Sequence, residues 1–541
     1  MVQPVFSLVN GAPEFFSARK TPTVAIIAFA LALTLGLPLV ILLAEWVAEK
    51  SRAGWGRRLH DGARGVLVAT VALGLLNWLD EKLTRISGIG SPGWLLLTLA
   101  AALGYRGIVL LRRSPVWRSF VRYLAVAAPA ALGLFLVSAP MGSPAATRPA
   151  EATRPAPIVM LVLDELPTTS LLGAKGRIDA KRVPNFARLA RDGTFYPNTT
   201  TIADQTTAAV PAILSGQRGP RHIRAPDLDD WPQNLFTLLH RQYRMEAREP
   251  ITHLCSPDAC PDEVRPARDA VSSLASEASH LALLSVAPSD LVPRSPLIGG
   301  AGERDPGHDI SEFLSKIRPA RRPTLNFAHV MTPHRPWGRL PSGRSYPVAG
   351  DGGVPASVRE TLRLPADRRV ALALWRAHLL QVGYADKLLG RVIDHLERTG
   401  MYDRSLVVVM ADHGVSFRPG GPLRDATPDT VRNIAPVPLF VKQPGGRDRG
   451  IDPAAAQTID VLPTILDVIG ARKPAGIDGH SLLGPLPRDR KPSVLSTRSA
   501  YVKTTLPDLL RHRARTLRLQ RDAVIDSPSW RARCRLPGSG C

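Results

Sequence analysis

The sequence is poor in cysteine, which argues against a protein held together by structural zinc. It contains four cysteines in 541 residues. Neither local pair, Cys255 with Cys260 or Cys534 with Cys541, has the two-residue spacing of a zinc knuckle. Both pairs could instead form local disulfides in an oxidising compartment.

Acidic residues are scarce relative to basic ones, which indicates a negatively charged partner. There are 46 Asp and Glu against 69 Lys and Arg, giving a formal net charge of +23. Such a charge suits nucleic acid or an anionic membrane surface. The chain has no zinc-finger spacing, no RNA-stacking motif and no long Lys-rich tail, and its arginines are scattered. We therefore expect no nucleic-acid partner.

Four long apolar runs near the N-terminus favour the membrane instead. The first is uncharged, is long enough to span a bilayer and is followed by Glu45 and Glu49, so it predicts an uncleaved anchor and not a signal peptide. The second is short, and the third carries Arg106. The four runs are Val24–Ala44, Val66–Leu79, Trp94–Leu111 and Phe120–Met141. They predict a multi-pass membrane region of about four helices.

The charges of the short loops predict the orientation of this region. Five basic residues lie between the first and second runs, and four lie between the third and fourth runs or at the start of the fourth. The loop between the second and third runs has only Lys82 and Arg85 beside Asp80 and Glu81. Because cationic loops stay cytoplasmic, the C-terminal mass is expected outside the plasma membrane.

The remainder of the chain has the pattern of an α/β domain. Four apolar runs of strand length do not alternate with polar residues, as is typical of strands buried on both faces: Ile158–Leu163, Leu325–Val330, Ser405–Met410 and Val437–Lys442. Helical patterns lie between and after them, at Pro184–Gly193, Asn234–Tyr243, Val370–Thr399 and Ile459–Gly470. This alternation predicts a mainly parallel sheet.

Two of these strands end in residues that can bind a metal. Asp164 and Glu165 follow the first, and Asp412 and His413 follow the third. Functional groups of parallel sheets collect past the carboxyl ends of strands. Singly, an aspartate there can be a turn cap and an Asp–His pair can be structural. Together they indicate one divalent ion, with Mn, Zn, Mg and Ca left open.

The stretch ADQTTAAVPAILSG, residues 203–216, offers two candidates for a nucleophile. Thr206 and Thr207 stand where a loop runs into a predicted helix, whose N-terminus favours an anion such as a transferred phosphoryl group. An activated threonine hydroxyl could attack it. The alternative interpretation is that both threonines only cap the helix.

Basic and imidazole side chains supply further candidates. His329 and His334, in HVMTPHRPW, could hold substrate oxygens or protonate a leaving group, although lone histidines are more often core or surface residues. Arg418, Arg424 and Arg432 could bind an anionic substrate, with solvated surface as the alternative.

The order of these motifs resembles the sulfatase and alkaline-phosphatase superfamily over about residues 158–483. VLDE, TTAAVPAILSG, HVMTPH, VVVMADHG, VPLFVKQPG and TIDVLPTILDVIG occur in the family's order, and the run from Tyr384 to Gly414 is the most specific piece. Counting ten residues back from Gly216 places Thr206 where sulfatases carry the cysteine that becomes formylglycine. Ala208 and Val210 also depart from that motif.

A threonine at this position is similar to lipoteichoic-acid synthases, phosphoethanolamine transferases and nucleotide pyrophosphatases. The resemblance implies an alkaline-phosphatase-like α/β/α sandwich in which Asp164, Thr206, Asp412 and His413 hold one metal. It also implies that His329 and His334 lie near the substrate, and it leaves the role of Glu165 open.

Together, hydropathy, composition and the resemblance divide the chain into a membrane region at 1–141, a Pro/Ala-rich linker at 142–157, a catalytic domain at 158–490 and a basic tail at 491–541. The resemblance itself covers only the catalytic domain. It implies transfer of a phospho group from a lipid or lipid-linked donor to an envelope acceptor or to water. The alternatives are hydrolysis of sulfuric or phosphoric esters and a catalytically idle envelope scaffold.

Overall fold

The computed structural model consists of two units. It describes residues 56–87, 91–116, 148–219, 226–261, 305–346, 362–446, 450–487, 489–496 and 500–534, with a few isolated positions before and between them. One unit comprises residues 1–142 and 265–299, and the other comprises residues 143–264 and 300–541.

In the first unit, two long apolar helices pack against each other. They are α1, Gly56–Ser87, and α2, Gly93–Arg113. Glycines allow their close approach, because a Cβ at Gly104 would lie 2.7 Å from the carbonyl oxygen of Gly65. Large apolar side chains such as Trp78 and Trp94 stay exposed.

Only one of the helices in the described residues is long and apolar enough to cross a membrane. Its apolar part is Gly93–Leu110 in α2, with a mean hydropathy of 1.6. The apolar part of α1, Gly65–Asp80, is shorter. The predicted spans Val24–Ala44 and Phe120–Met141 lie outside the described residues.

The second unit is built on a seven-stranded sheet. The strands are β1 Ile158–Leu163, β2 Thr194–Phe195, β3 Arg244–Arg248, β4 Thr324–Val330, β5 Leu406–Ala411, β6 Leu439–Lys442 and β7 Gly450–Ile451. Their order in the sheet is β3-β4-β1-β5-β6-β2-β7. β3, β4, β1 and β5 run parallel, whereas β6 is antiparallel to both β5 and β2. The prediction of a mainly parallel sheet is confirmed.

Helices cover both faces of this sheet. The helices are α3 Pro184–Asp192, α4 Thr206–Ser215, α5 Leu235–Leu239, α6 Pro306–Lys316, α7 Arg368–Arg398, α8 Val431–Ile434, α9 Val461–Val468, α10 Leu506–Leu519 and α11 Pro528–Cys534. Alternate residues of β1 enter opposite cores: Met160 packs with α4 and α9, and Leu161 packs in the core of α3, α6 and α7. A two-stranded antiparallel sheet, β8 Ser493–Leu495 with β9 Tyr501–Lys503, completes the unit.

The Asp-x-x-x-Gly pattern in the long helix α7 has a structural explanation. The Asp386 carboxylate accepts the backbone N–H groups of Asn185 and Phe186, both at 2.9 Å, in the first turn of α3. One turn further on, a Cβ at Gly390 would meet the Asn185 side chain at 2.7 Å. Aspartate and glycine together therefore fix α3 on α7.

The second unit extends beyond the limits drawn from the sequence. Within the expected linker, Ala152 is buried and its N–H donates to Gln242 Oε1 at 2.7 Å. Within the expected tail, Leu517 lies in the core and Gln520 donates to the carbonyl of Thr169 at 3.2 Å. The structure thus packs both segments against the α/β domain.

One local element is shorter than its sequence pattern, and one of the two expected disulfides is present. The helical pattern Asn234–Tyr243 gives only the five-residue α5, which Asn234 caps by accepting the N–H of Phe236 and Thr237. Cys255 and Cys260 form a disulfide. Cys541, of the other expected pair, lies outside the described residues.

Candidate active site

The carboxyl ends of β1 and β5 bring the two predicted acidic motifs together. Leu163 and Ala411, the last residues of the two strands, stand opposite each other in parallel register. The Asp412 N–H then donates to the carbonyl of Leu163 at 3.2 Å, and the Asp164 N–H donates to the carbonyl of Val330 at the end of β4 at 3.0 Å. Backbone pairing therefore sets Asp164 and Asp412 side by side.

Asp164, Asp412 and His413 form a buried donor cluster. One ligand atom from each lies within 4.8 Å of the others. The Nδ1–H of His413 donates to the carbonyl of Gly414 at 3.0 Å, so Nε2 keeps its lone pair. That Nε2 lies 3.6 Å from Asp412 Oδ2 and 3.9 Å from Asp164 Oδ1.

The electrostatics of the cluster fit a divalent cation. Asp164 Oδ1 has no hydrogen-bond partner among the described residues. Burial, followed by the charge of Asp412, raises the pKa of Asp164 well above its usual range. Burial raises the pKa of Asp412 to about 7, although backbone N–H groups oppose the change. Two buried carboxylates and an imidazole lone pair are a donor set that a cation would satisfy.

Thr206 joins this cluster through its side chain. It is the first residue of α4 and is 7% exposed. Its hydroxyl donates to Asp412 Oδ2 at 2.9 Å and lies 3.4 Å from His413 Nε2. The hydroxyl therefore faces the ligand cluster and does not cap the helix.

Thr207 has a different environment. It is half-buried, and no hydrogen bond in the described part of the chain links its hydroxyl to the Asp164, Asp412 and His413 cluster. Of the two threonines, only Thr206 is placed to react at the metal-type site.

The two candidate histidines lie near different carboxylates. His329, on β4, has its Nε2 3.7 Å from Asp164 Oδ2 and 3.8 Å from Asp412 Oδ2. Neither of its ring nitrogens has a hydrogen-bond partner among the residues that the structure describes. Burial, assisted by His413, lowers the pKa of His329 to about 3, so the ring is neutral. It has one N–H free for a substrate oxygen.

His334, in the loop after β4, faces Glu165. Its Nδ1–H donates to the carbonyl of Arg335, which leaves a lone pair on Nε2, 4.0 Å from Glu165 Oε1. Burial lowers the pKa of His334 to about 3 although Glu165 opposes this change. His334 is therefore neutral at pH 7, and its Nε2 lone pair can accept a hydrogen bond but is only weakly basic.

Glu165 is held by an arginine and lies outside the ligand trio. Its carboxylate forms a buried ion pair with Arg424 Nε and accepts the Arg335 N–H at 3.4 Å. Burial alone would raise the pKa of Glu165, but Arg424, with His334 and other neighbours, lowers it below its usual range.

The three candidate arginines separate clearly. Arg424 lies in the site, with a side chain that is 12% exposed. Arg418 is 49% exposed and pairs with Asp429, while Arg432 pairs with Asp508. The sequence does not single out Arg335 as a site residue, and the one indication it offers is that Arg335 directly follows His334.

Comparison with known proteins identifies the family. The sulfatase family model matches residues 158–471, which is more than half of the chain. The chain belongs to the sulfatase family. The resemblance inferred from the motifs is thereby confirmed.

Individual relatives match over shorter segments. The multifunctional alkaline phosphatase superfamily protein PehA of Trinickia caryophylli is 35% identical over 120 residues, covering 21% of this chain and 22% of PehA. The 2,3-bisphosphoglycerate-independent phosphoglycerate mutase of Listeria welshimeri is 35% identical over 98 residues, covering 18% of this chain and 17% of the mutase. The chain thus spans about a fifth of the length of these curated relatives.

Solved structures include phosphonate monoester hydrolases. The enzyme SpPMH from Silicibacter pomeroyi is 21% identical, with a TM-score of 0.41 and coverage of 62% of this chain and 78% of that chain. The enzyme of Agrobacterium radiobacter is 17% identical, with a TM-score of 0.43 and coverage of 63% and 79%.

Proposed function

We propose that this sulfatase-family chain is a membrane-anchored, metal-dependent phospho-transferase or phosphodiesterase with Thr206 as its nucleophile. The observation that carries the proposal is the hydrogen bond from the Thr206 hydroxyl to Asp412 Oδ2, 2.9 Å long, at the N-terminus of α4. Nucleophile, ligand cluster and helix N-terminus meet at one place, which is what covalent phosphoryl transfer requires.

In the first half-reaction, Thr206 Oγ1 attacks the phosphorus of the ester and the bond to the leaving alcohol breaks. The hydroxyl proton passes along the hydrogen bond to Asp412, and the leaving alkoxide takes a proton from solvent. N–H groups in the first turn of α4 stabilise the negative charge of the phosphoryl oxygens. A divalent ion held by Asp164, Asp412, His413 and Thr206 would supply Lewis acidity, lowering the pKa of the hydroxyl.

The second half-reaction transfers the group from phosphothreonine to an acceptor. An acceptor hydroxyl or water attacks the phosphorus, and the bond to Thr206 Oγ1 breaks. Thr206 Oγ1 regains the proton held by Asp412, and the acceptor's proton goes to solvent. The Nε2 lone pair of His334 accepts a hydrogen bond from the acceptor hydroxyl and orients it for attack. His329 donates its N–H to a substrate oxygen beside Asp164 and Asp412.

The donor in this proposal is a membrane lipid or lipid-linked phosphodiester, and the acceptor belongs to the cell envelope. The apolar helix Gly93–Leu110 and the exposed tryptophans of α1 and α2 support membrane anchoring. The distribution of loop charges supports a multi-pass plasma-membrane protein with an extracytoplasmic catalytic domain. The Cys255–Cys260 disulfide agrees with that compartment.

Two other functions make different predictions. A sulfate-ester hydrolase of the same fold is disfavoured, because a threonyl sulfate lacks the geminal hydroxyl with which hydrated formylglycine expels sulfate. An idle envelope scaffold predicts no bound metal, and it leaves the convergence of Thr206 with Asp164, Asp412 and His413 without a purpose.

Substitution of Thr206 tests the proposal. Full-length protein in detergent, loaded with Mn or Zn, is assayed on bis(p-nitrophenyl) phosphate and on p-nitrophenyl sulfate. We expect the phosphodiester to be hydrolysed, Thr206→Ala to lose at least about 10⁴-fold in kcat, and Thr206→Ser to retain measurable turnover.

Thr207→Ala is the matched control and should retain activity, since its hydroxyl does not contact the cluster. Equal loss in both alanine variants, or turnover of the sulfate ester alone, would contradict the proposed chemistry.

A further inference from the structure

Two successive acidic residues after β1 have different partners. Asp164 lies in the ligand cluster, whereas Glu165 forms an ion pair with Arg424. The backbone explains the divergence, because Glu165 has a φ of 60°, a left-handed conformation that non-glycine residues seldom adopt. Strain of this kind persists where the surroundings fix it, commonly at a functional site.

The cluster around Glu165 carries a surplus of positive charge. One carboxylate, Glu165, faces two guanidinium groups, Arg424 and Arg335. The charges of both arginines act on Glu165, and the charge of Arg424 also acts on Arg335. Both guanidinium groups also act on the Asp164 carboxylate, so the cluster adjoins the proposed metal site.

The surplus charge comes with unused hydrogen-bond donors. Arg424 Nη2 and Arg335 Nε are buried, and neither atom has a hydrogen-bond partner within the described ranges. Buried guanidinium donors are normally paired, so unpaired ones that adjoin the proposed metal site indicate that a ligand completes them.

We propose that Glu165 is a positioning residue for Arg424 and not a metal ligand, and that Arg424 and Arg335 bind a non-bridging oxygen of a singly charged ester. The inference rests on the proposed function and specifies its substrate class. Two carboxylates, Asp164 and Asp412, balance a divalent ion, and one net positive charge remains for the substrate. A phosphodiester carries one negative charge, whereas a phosphate monoester carries nearly two at neutral pH.

The variants Glu165→Gln, Arg424→Gln and Arg335→Gln test this assignment in full-length, metal-loaded protein. Bound metal is measured by elemental mass spectrometry. Binding of diethyl phosphate, a singly charged diester, is measured by calorimetry, and kinetics are measured on bis(p-nitrophenyl) phosphate and p-nitrophenyl phosphate. Arg418→Gln is the matched control, because that arginine lies in the same segment but is half-exposed and pairs with Asp429.

We expect metal content to be unchanged in all four variants and the wild type to prefer the diester over the monoester. Arg424→Gln and Arg335→Gln should weaken diethyl phosphate binding and raise KM for the diester about 10- to 100-fold, the effect of a lost charge-assisted hydrogen bond. Glu165→Gln should raise KM about 10-fold with little change in kcat. Arg424→Lys should recover part of the binding, which a purely structural role would not produce.

Several outcomes would overturn the inference. Loss of metal from Glu165→Gln would make Glu165 a ligand, and a wild-type preference for the monoester would refute the charge count. Unchanged diethyl phosphate binding in Arg335→Gln would refute the subsite even if Arg424→Gln fails to fold. In each case a large loss in Thr206→Ala leaves the proposed function intact, whereas full activity of Thr206→Ala would refute that function alone.

Discussion

The two carboxylate oxygens of Asp412 accept hydrogen bonds from different groups, and an asparagine side chain offers only one such oxygen. Oδ1 accepts the backbone N–H groups of His413 at 2.7 Å and Glu165 at 3.2 Å, while Oδ2 accepts the Thr206 hydroxyl. In Asp412→Asn, the amide oxygen must take the place of Oδ1 to satisfy the two backbone donors. The amide nitrogen then stands at the position of Oδ2, where it cannot bind a cation.

This substitution should affect the metal-free and metal-loaded proteins in opposite directions. The folded-state pKa of Asp412, about 7, lies above the ordinary aspartate value of 3.8, so ionisation of this buried carboxyl lowers the stability of the fold as the pH rises from 3.8 through 7. The difference corresponds to about 4 kcal/mol above pH 7. Metal-free Asp412→Asn should therefore be more stable than metal-free wild type at pH 8, by up to that amount.

Thermal unfolding of the full-length protein in detergent measures both effects. After chelation, Asp412→Asn should have the higher Tm at pH 8, and the difference should shrink toward pH 4. Addition of Mn or Zn should raise the Tm of the wild type and leave that of Asp412→Asn nearly unchanged. Equal stabilisation of both proteins by metal would refute the role of Asp412 as a metal ligand. If metal-free Asp412→Asn were less stable than metal-free wild type at pH 8, the proposed cost of burying the Asp412 carboxylate would be refuted.

Two further predictions concern the contact between α3 and α7. The folded-state pKa of Asp386 is about 6, so ionisation of this carboxyl lowers the stability of the wild type between pH 4 and pH 6. Over that range the unfolding free energy of the wild type should fall by up to about 3 kcal/mol relative to that of Asp386→Asn. A constant difference between the two proteins would contradict the raised pKa of Asp386. Gly390→Ala should destabilise the fold by about 1 to 3 kcal/mol, because its Cβ would lie 2.7 Å from the Asn185 side chain. The double variant with Asn185→Ala should recover part of that loss in the same unfolding assay, and no recovery would exclude the steric explanation.

The positions of the ligand residues could be predicted because parallel strands end at one edge. The runs that became β1 and β5 are apolar on both faces, and Asp164 and Asp412 follow them directly. The choice of Thr206 over Thr207 depends on the ten-residue spacing to Gly216, because the two threonines have the same side chain and are neighbours in the sequence. The structure then separates the two threonines by a hydrogen bond to Asp412.

Other features depend on contacts that carry no local signal. Glu165 and Arg424 are 259 residues apart, and a single arginine among many does not reveal its partner. The apolar run that ends at Lys442 predicts a strand but not its antiparallel direction. Because α10 is rich in arginine, its sequence does not indicate an apolar face, and the burial of residues such as Leu517 cannot be predicted from it.

The most direct test that Thr206 is the nucleophile is the detection of a covalent phosphothreonine. Full-length, metal-loaded protein is incubated with lipid extract, quenched rapidly and analysed by intact-mass and peptide mass spectrometry. We expect a phospho-adduct on Thr206 that is absent from Thr206→Ala and from protein stripped of metal. An adduct on Thr207, or no adduct with any divalent metal, would contradict it.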